Sequence, residues 1–199
     1  MGLNSSYFIT IDSSQKELVS QYLKQNCQLS EEQSKDPFNS RDVCLGLLLT
    51  PDSAIKKYIR GYYRGSFGSE YQTENLADHL SDAKVKIGCV DISWREAGSK
   101  LHIEFVCVSS PMSFLFAESE SIRKWFTDLC ILTNAEMGVF DCENEFLELF
   151  WFRGNKLSLQ VDQHWVHDTR FYTENDKPLL SAMKDLVTTS FDHAYNHKR

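Results

Sequence analysis

Two alternating runs, KVKIGCVDISWRE (Lys84 to Glu96) and KLHIEFVCV (Lys100 to Val108), are separated only by Ala97, Gly98 and Ser99. Alternation with period two is the signature of a strand that buries one face, and so short a connection leaves only an antiparallel hairpin. In the first run Val85, Ile87 and Cys89 share a phase, which then switches to Val90, Ile92 and Trp94. Gly88 just before the switch predicts a bulge that bends a long strand. In the second run Leu101, Ile103, Phe105 and Cys107 share one face.

Other segments extend this sheet. SYFITI (Ser6 to Ile11) reads as a first strand, and VCLGLLL (Val43 to Leu49) as a strand covered on both faces. MGVFDCE, EFLELFWFR and KLSLQV read as a meander, with Gly154-Asn155 as its tight turn. Helices are expected between these strands. Ser14 and Glu17 form a capping box before the stripe Leu18, Val19, Tyr22 and Leu23. Thr50 caps a helix with Pro51 at its first position, and a weaker helix covers 74–80. Ser119 or Ser121 opens a helix striped by Ile122, Trp125, Phe126, Leu129 and Cys130. Pro178 opens an amphipathic C-terminal helix striped by Leu179, Leu180, Met183, Leu186 and Val187. Residues 28–40 read as a loop and PMSFLF as a connector. The expectation is a single α+β domain over 1–199, a twisted antiparallel sheet packed by several helices.

The hydrophobic fraction of 42% fits an ordinary core, and no apolar run reaches membrane-spanning length. The opening MGLNSSYFITI lacks the basic-then-apolar layout of a secretory signal. Gly2 with Ser6 matches only a bare myristoylation pattern. None of the six cysteines forms a C-x-x-C pair, and Cys44, Cys89 and Cys107 lie in apolar runs as small hydrophobes. These features together predict a cytoplasmic location.

Chemistry-bearing candidates are sparse. IKKYIRGYYRGSFG (Ile55 to Gly68) carries Lys56, Lys57, Arg60 and Arg64 without an acid, in a chain of formal net charge -7. Cations interleaved with tyrosines suit a single-stranded nucleic-acid groove. On a helical wheel, however, Tyr58, Ile59 and Tyr62 fall within about 60° of Ile55, while Lys56, Arg60 and Arg64 take another face. Rings and cations are thus segregated, and a helix with a buried stripe explains the stretch. Gly65-Ser66-Phe67-Gly68 matches neither a nucleophile elbow nor a phosphate loop. DQHWVHD brings Asp162, His164, His167 and Asp168 close in sequence, a set that could ligate zinc or move protons. On a continuing strand, however, residues three apart point to opposite faces. His193 and His197 have zinc-capable spacing on the last helix but lack the protease glutamate. No catalytic residue, metal ligand set or cofactor site is therefore assigned.

Acidic residues cluster instead. Asp141, Glu143 and Glu145 surround one strand connection, with Glu148 on the next strand, and Glu118 and Glu120 stand at a helix start. An acidic rim of this kind can dock on a basic protein surface as a phosphate mimic. Asp141, Glu143 and Glu145 are expected to form that rim, joined by Glu118 and Glu120 if the helix packs nearby.

The segment FDCENEFLELFWFRGNKLSLQV (Phe140 to Val161), with the hairpin and helix from Val85 to Cys130, resembles the bacterial immunity proteins of contact-dependent inhibition and related polymorphic toxin systems. The likeness is one of layout and composition, and it carries no functional residue over. It implies a cytoplasmic, non-enzymatic antitoxin that binds its cognate toxin, often a basic nuclease, and occludes the toxin's active site. The alternatives are a single-stranded nucleic-acid-binding domain using the basic stretch and exposed aromatics such as Trp151, and a hydrolase or metal enzyme built on His164, His167 and Asp168.

Overall fold

The sheet grows outward from its first strand. The computed structural model describes residues 5–38, 43–66, 84–107, 110–142, 146–162 and 181–182. In it β1 (Ser5–Asp12) lies between β5 (Lys100–Cys107) and β6 (Met137–Cys142), antiparallel to both. On the β5 side follow β4 (Val85–Ala97), β3 (Val43–Leu49) and the two-residue β2 (Cys27–Gln28). On the β6 side follow β7 (Phe146–Phe152) and β8 (Asn155–Asp162). The order is β2-β3-β4-β5-β1-β6-β7-β8, with every described pairing antiparallel. Five described helices accompany it: α1 (Lys16–Asn26), α2 (Glu31–Lys35), α3 (Ser53–Ser66), α4 (Ser110–Glu118) and α5 (Glu120–Leu132). This is an α+β fold on an antiparallel sheet.

Because side chains alternate across a strand, β1 feeds two cores. Tyr7, Ile9 and Ile11 point toward the helices and join Phe105, Phe140 and the α5 stripe of Ile122, Trp125, Phe126, Leu129 and Cys130. Phe8 points the other way, into a smaller cluster with Met137, Val139, Leu147 and Leu149, against which Leu159 and Ala182 pack. Cys27, Cys107, Cys130 and Cys142 are buried thiols. Burial pushes the Cys27 thiol up to about 12, so it stays protonated and acts as a small apolar filler.

The bulge predicted at Gly88 is present. Leu45 pairs with Val90 while Gly46 pairs with Gly88, leaving Cys89 as the extra residue. Gly88 is needed there, because a Cβ on it would stand 2.8 Å from the Gly46 Cα.

Several local expectations shift. Asp12, not Ser14, caps the first helical turn, accepting from the Ser14 amide at 3.0 Å, and a short 3-10 turn (Ser13–Gln15) precedes α1. The stretch read as a loop from residue 28 contains the end of β2 and all of α2. Ser30 and Gln33 form a reciprocal capping box there, Ser30 N–H to Gln33 Oε1 at 2.7 Å and Gln33 N–H to Ser30 Oγ at 3.3 Å. Asp52, not Thr50, caps α3 through the Ile55 amide. PMSFLF is helical, for Met112, Leu115 and Phe116 recur on one side and are buried. The β7–β8 turn is Arg153-Gly154, since Phe152 pairs with Asn155 and both turn residues have positive φ (45° and 85°). The helix expected over 74–80 and most of the one expected after Pro178 lie outside the described residues.

Two glycine replacements separate close approach from backbone conformation. Gly88→Ala should lower stability by about 2 kcal/mol, because neighbouring backbone must move. Gly98→Ala, at φ 62° with open space around it, should cost only about 1 kcal/mol. Urea unfolding of both variants checks the order.

Candidate functional site

A cleft of about 490 Å³ opens between the α4–α5 helices and the β7–β8 hairpin. One wall is the α4–α5 junction and the outer flank of α5: Ala117, Glu118, Ser119, Glu120, Arg123, Lys124 and Thr127. The other is Glu148 and Phe150 of β7 with Lys156 and Leu157 of β8.

Its floor is an ion pair set among rings. Arg123 Nη2 donates to Glu148 Oε2, and Glu148 is only 8% exposed. The Arg123 guanidinium carbon lies 5.2, 5.2 and 5.1 Å from the ring centres of Tyr7, Phe140 and Phe150. Its other terminal nitrogen, Nη1, is buried and has no hydrogen-bond partner among the described residues. A buried unpaired N–H costs about 1–3 kcal/mol, and the three ring faces offset part of that by cation–π attraction. The Tyr7 ring is itself fixed, stacked on Phe126 at 3.8 Å with its hydroxyl donating to the Phe116 carbonyl at 3.2 Å. Burial raises the pKa of that hydroxyl well above the ordinary phenol value, although Arg123 pulls it down. Tyr7 is a structural donor here.

The rim carries the other charges. Glu118 and Glu120 are exposed at the helix junction. Lys124 is drawn along its own helix to Asp128 at 2.6 Å, and Lys156 stands across the cleft on an exposed stretch of β8. Leu157, 40% exposed, adds an apolar edge.

The site residues expected from the sequence fare differently. Glu118 and Glu120 line this cleft, with Lys124 and Lys156 among them, so the rim is of mixed sign rather than uniformly acidic. Asp141 is no rim residue. It is 3% exposed, because β6 runs inside the sheet and Met137, Val139 and Asp141 face its packed second side, where Asp141 registers with Ser6 and Leu147. Glu143 and Glu145 lie outside the described residues, as do His164, His167, Asp168, His193, His197 and the 67–68 end of the glycine turn. Among the described residues no group of three or more His, Cys, Asp or Glu is placed to hold a metal ion, and no helix is long and apolar enough to cross a membrane.

The nucleic-acid reading loses its aromatic. Trp151 is 4% exposed, and its indole N–H donates to the Ala135 carbonyl at 2.8 Å. On α3, Ile55 and Ile59 are buried and Arg60 is exposed, as the helical wheel predicts, but Lys56 and Tyr58 are both half-buried, and the side chains of Tyr62 and Arg64 lie outside the description.

Sequence reasoning missed the Arg123–Glu148 pair. A lone glutamate inside the apolar run FLELFWF was the signal, since a buried acid calls for a cation. Comparison with protein-family models, curated proteins and solved structures finds no match.

Removing one member of the pair strands the other's charge. Glu148→Leu should cost about 3 kcal/mol, whereas Arg123→Met combined with Glu148→Leu should cost far less than the sum of those two single changes. A double-mutant cycle from thermal or urea unfolding measures this coupling.

Proposed function

We propose that this chain is a binding protein that neutralises a partner by covering it, as the immunity resemblance implies: a cytoplasmic inhibitor that occupies the active site of a cognate toxin, with a basic nuclease as the favoured target. The observation that carries this reading is the cleft itself. Glu118 and Glu120 are held out to solvent above a floor that the Arg123–Glu148 pair and three rings immobilise.

Such a surface suits docking for three physical reasons. A floor ordered before contact loses little entropy when a partner arrives. Exposed carboxylates steer a basic protein and speed encounter at low salt. Lys156 across the cleft from the glutamates gives the site a polarity that favours one orientation of the partner and repels another. Leu157 supplies apolar area at the edge, where an anchor of the partner would exclude water.

The test uses the purified chain as bait, followed by kinetics on the captured protein. Glu118→Lys with Glu120→Lys should slow association about tenfold at low salt and flatten its salt dependence. Leu157→Asp should act mainly on dissociation. Binding that ignores both sets of changes would remove the cleft from the interface. Turnover of a small substrate that disappears with a cleft substitution would replace the binding reading by an enzymatic one.

A further inference from the structure

We infer that Asp52, which does not line the cleft, is the residue that positions its helical wall. This deepens the docking reading, and it rests on that reading only for its consequence in recognition, not for its geometry.

One carboxylate serves the first turns of two helices. Asp52 Oδ1 accepts from the Ile55 amide at 2.9 Å and so caps α3. Its Oδ2 accepts from the Ser121 amide at 2.9 Å and from the Ser119 hydroxyl at 2.7 Å, 69 and 67 residues further along the chain. Ser119 is the cap of α5, where its Oγ accepts from the Ile122 amide at 3.1 Å. By accepting the hydrogen bond that the Ser119 hydroxyl donates, Asp52 leaves the Ser119 lone pairs to face the Ile122 amide. Ser119 also closes α4, its amide donating to the Leu115 carbonyl at 2.9 Å, and its carbonyl accepts from the Arg123 amide at 3.0 Å. Asp52 therefore holds the α4–α5 junction, and with it Glu118, Glu120 and Arg123.

The arrangement demands a carboxylate, which an ordinary cap does not. At most helix starts Asn caps about as well as Asp, because one acceptor oxygen suffices. Here donors approach both oxygens from two elements. An Asn side chain keeps one acceptor, which stays on the Ile55 amide of its own helix start as in an ordinary Asn cap, and so turns its NH₂ group toward the Ser121 amide. Burial alone would raise the Asp52 pKa, but the hydrogen bonds from Ile55, Ser121, Ser119 and Ala54 outweigh it and hold the carboxyl below its ordinary range.

The experiment is amide hydrogen exchange by NMR on the free chain of 199 residues, so it succeeds or fails whether or not a partner is found. In Asp52→Asn the Ser121 and Ile122 amides should exchange about tenfold faster. The Ile55 amide and the β1 amides should stay within about threefold, and the Arg123 Nε–H resonance should shift as the cleft wall moves. Asp52→Glu should restore part of the Ser121 protection. In the unaltered chain, Ser121 protection should be complete above the ordinary carboxylate range. It should fall as pH drops through the depressed Asp52 value, because a group whose folded pKa is lowered contributes stability that acid removes. Asp52→Asn should abolish that profile, whereas titration of the neighbouring Glu118 and Glu120 would leave it in place. Unchanged Ser121 protection in Asp52→Asn would overturn the inference. So would an equal loss across Ser121, Ile55 and β1, which would mark Asp52 as a general stabiliser. If Asp52→Asn does not fold, the pH profile of the unaltered chain decides alone: a Ser121 amide that tracks β1 throughout refutes the positioning role.

Discussion

Burial of β1 on both faces is the constraint on which the molecule rests. The strand pairs with β5 about one hundred residues later and with β6 further still, so neither half of the sheet closes without it. Tyr7 sits at the crossing, with Phe126 stacked on it and Phe116, Phe140 and Phe150 within 5.6 Å centre to centre. Such ring contacts add about 0.5–1.5 kcal/mol each beyond area burial. The same ring forms one wall of the Arg123 pocket. Core and candidate site thus share a side chain, and the cleft floor is as rigid as the core beneath it.

The ion pair at that floor is an expensive choice in a protein interior. Desolvating two charges is seldom repaid in full by their attraction, so the pair is weak evidence for added stability. It does fix a register. Sliding β7 by one residue would turn Glu148 away from Arg123 and expose Leu147 or Leu149. A second irregularity works with it: the extra residue in β7 against β6 lets both Phe150 and Trp151 reach the helical-side core, and the Phe150 ring lies over Gly138, where a Cβ would meet it at 2.7 Å. Charge, bulge and glycine together place Glu148 and Phe150 on the cleft side.

Local pattern carried far into the fold. The phase switch at Gly88, the alternating face of β5 and the α5 stripe behind Ser119 are readable because each depends only on neighbours in sequence. The shifted caps failed for a related reason. Thr50 and Ser14 have suitable side chains, but Asp52 stands next to the first helical residue, Ser14 lies inside the 3-10 turn that Asp12 caps, and a carboxylate accepts more strongly than a hydroxyl. PMSFLF hid its helix because Pro111 and a short span masked a stripe of only three buried apolar residues, Met112, Leu115 and Phe116.

The acidic cluster shows where sequence stops. Asp141 and Glu148 look like neighbours of Glu118 and Glu120 on an acidic strip, yet the first two are buried and the last two exposed. Sequence alone determined the α+β class, the strand phases and the helix stripes, because periodicity follows from backbone geometry within a segment. Only the tertiary structure decided which charges meet water, that Arg123 answers Glu148, and that one aspartate caps two helices. Those depend on which strand lies inside the sheet and which helix ends abut, and no local pattern encodes either.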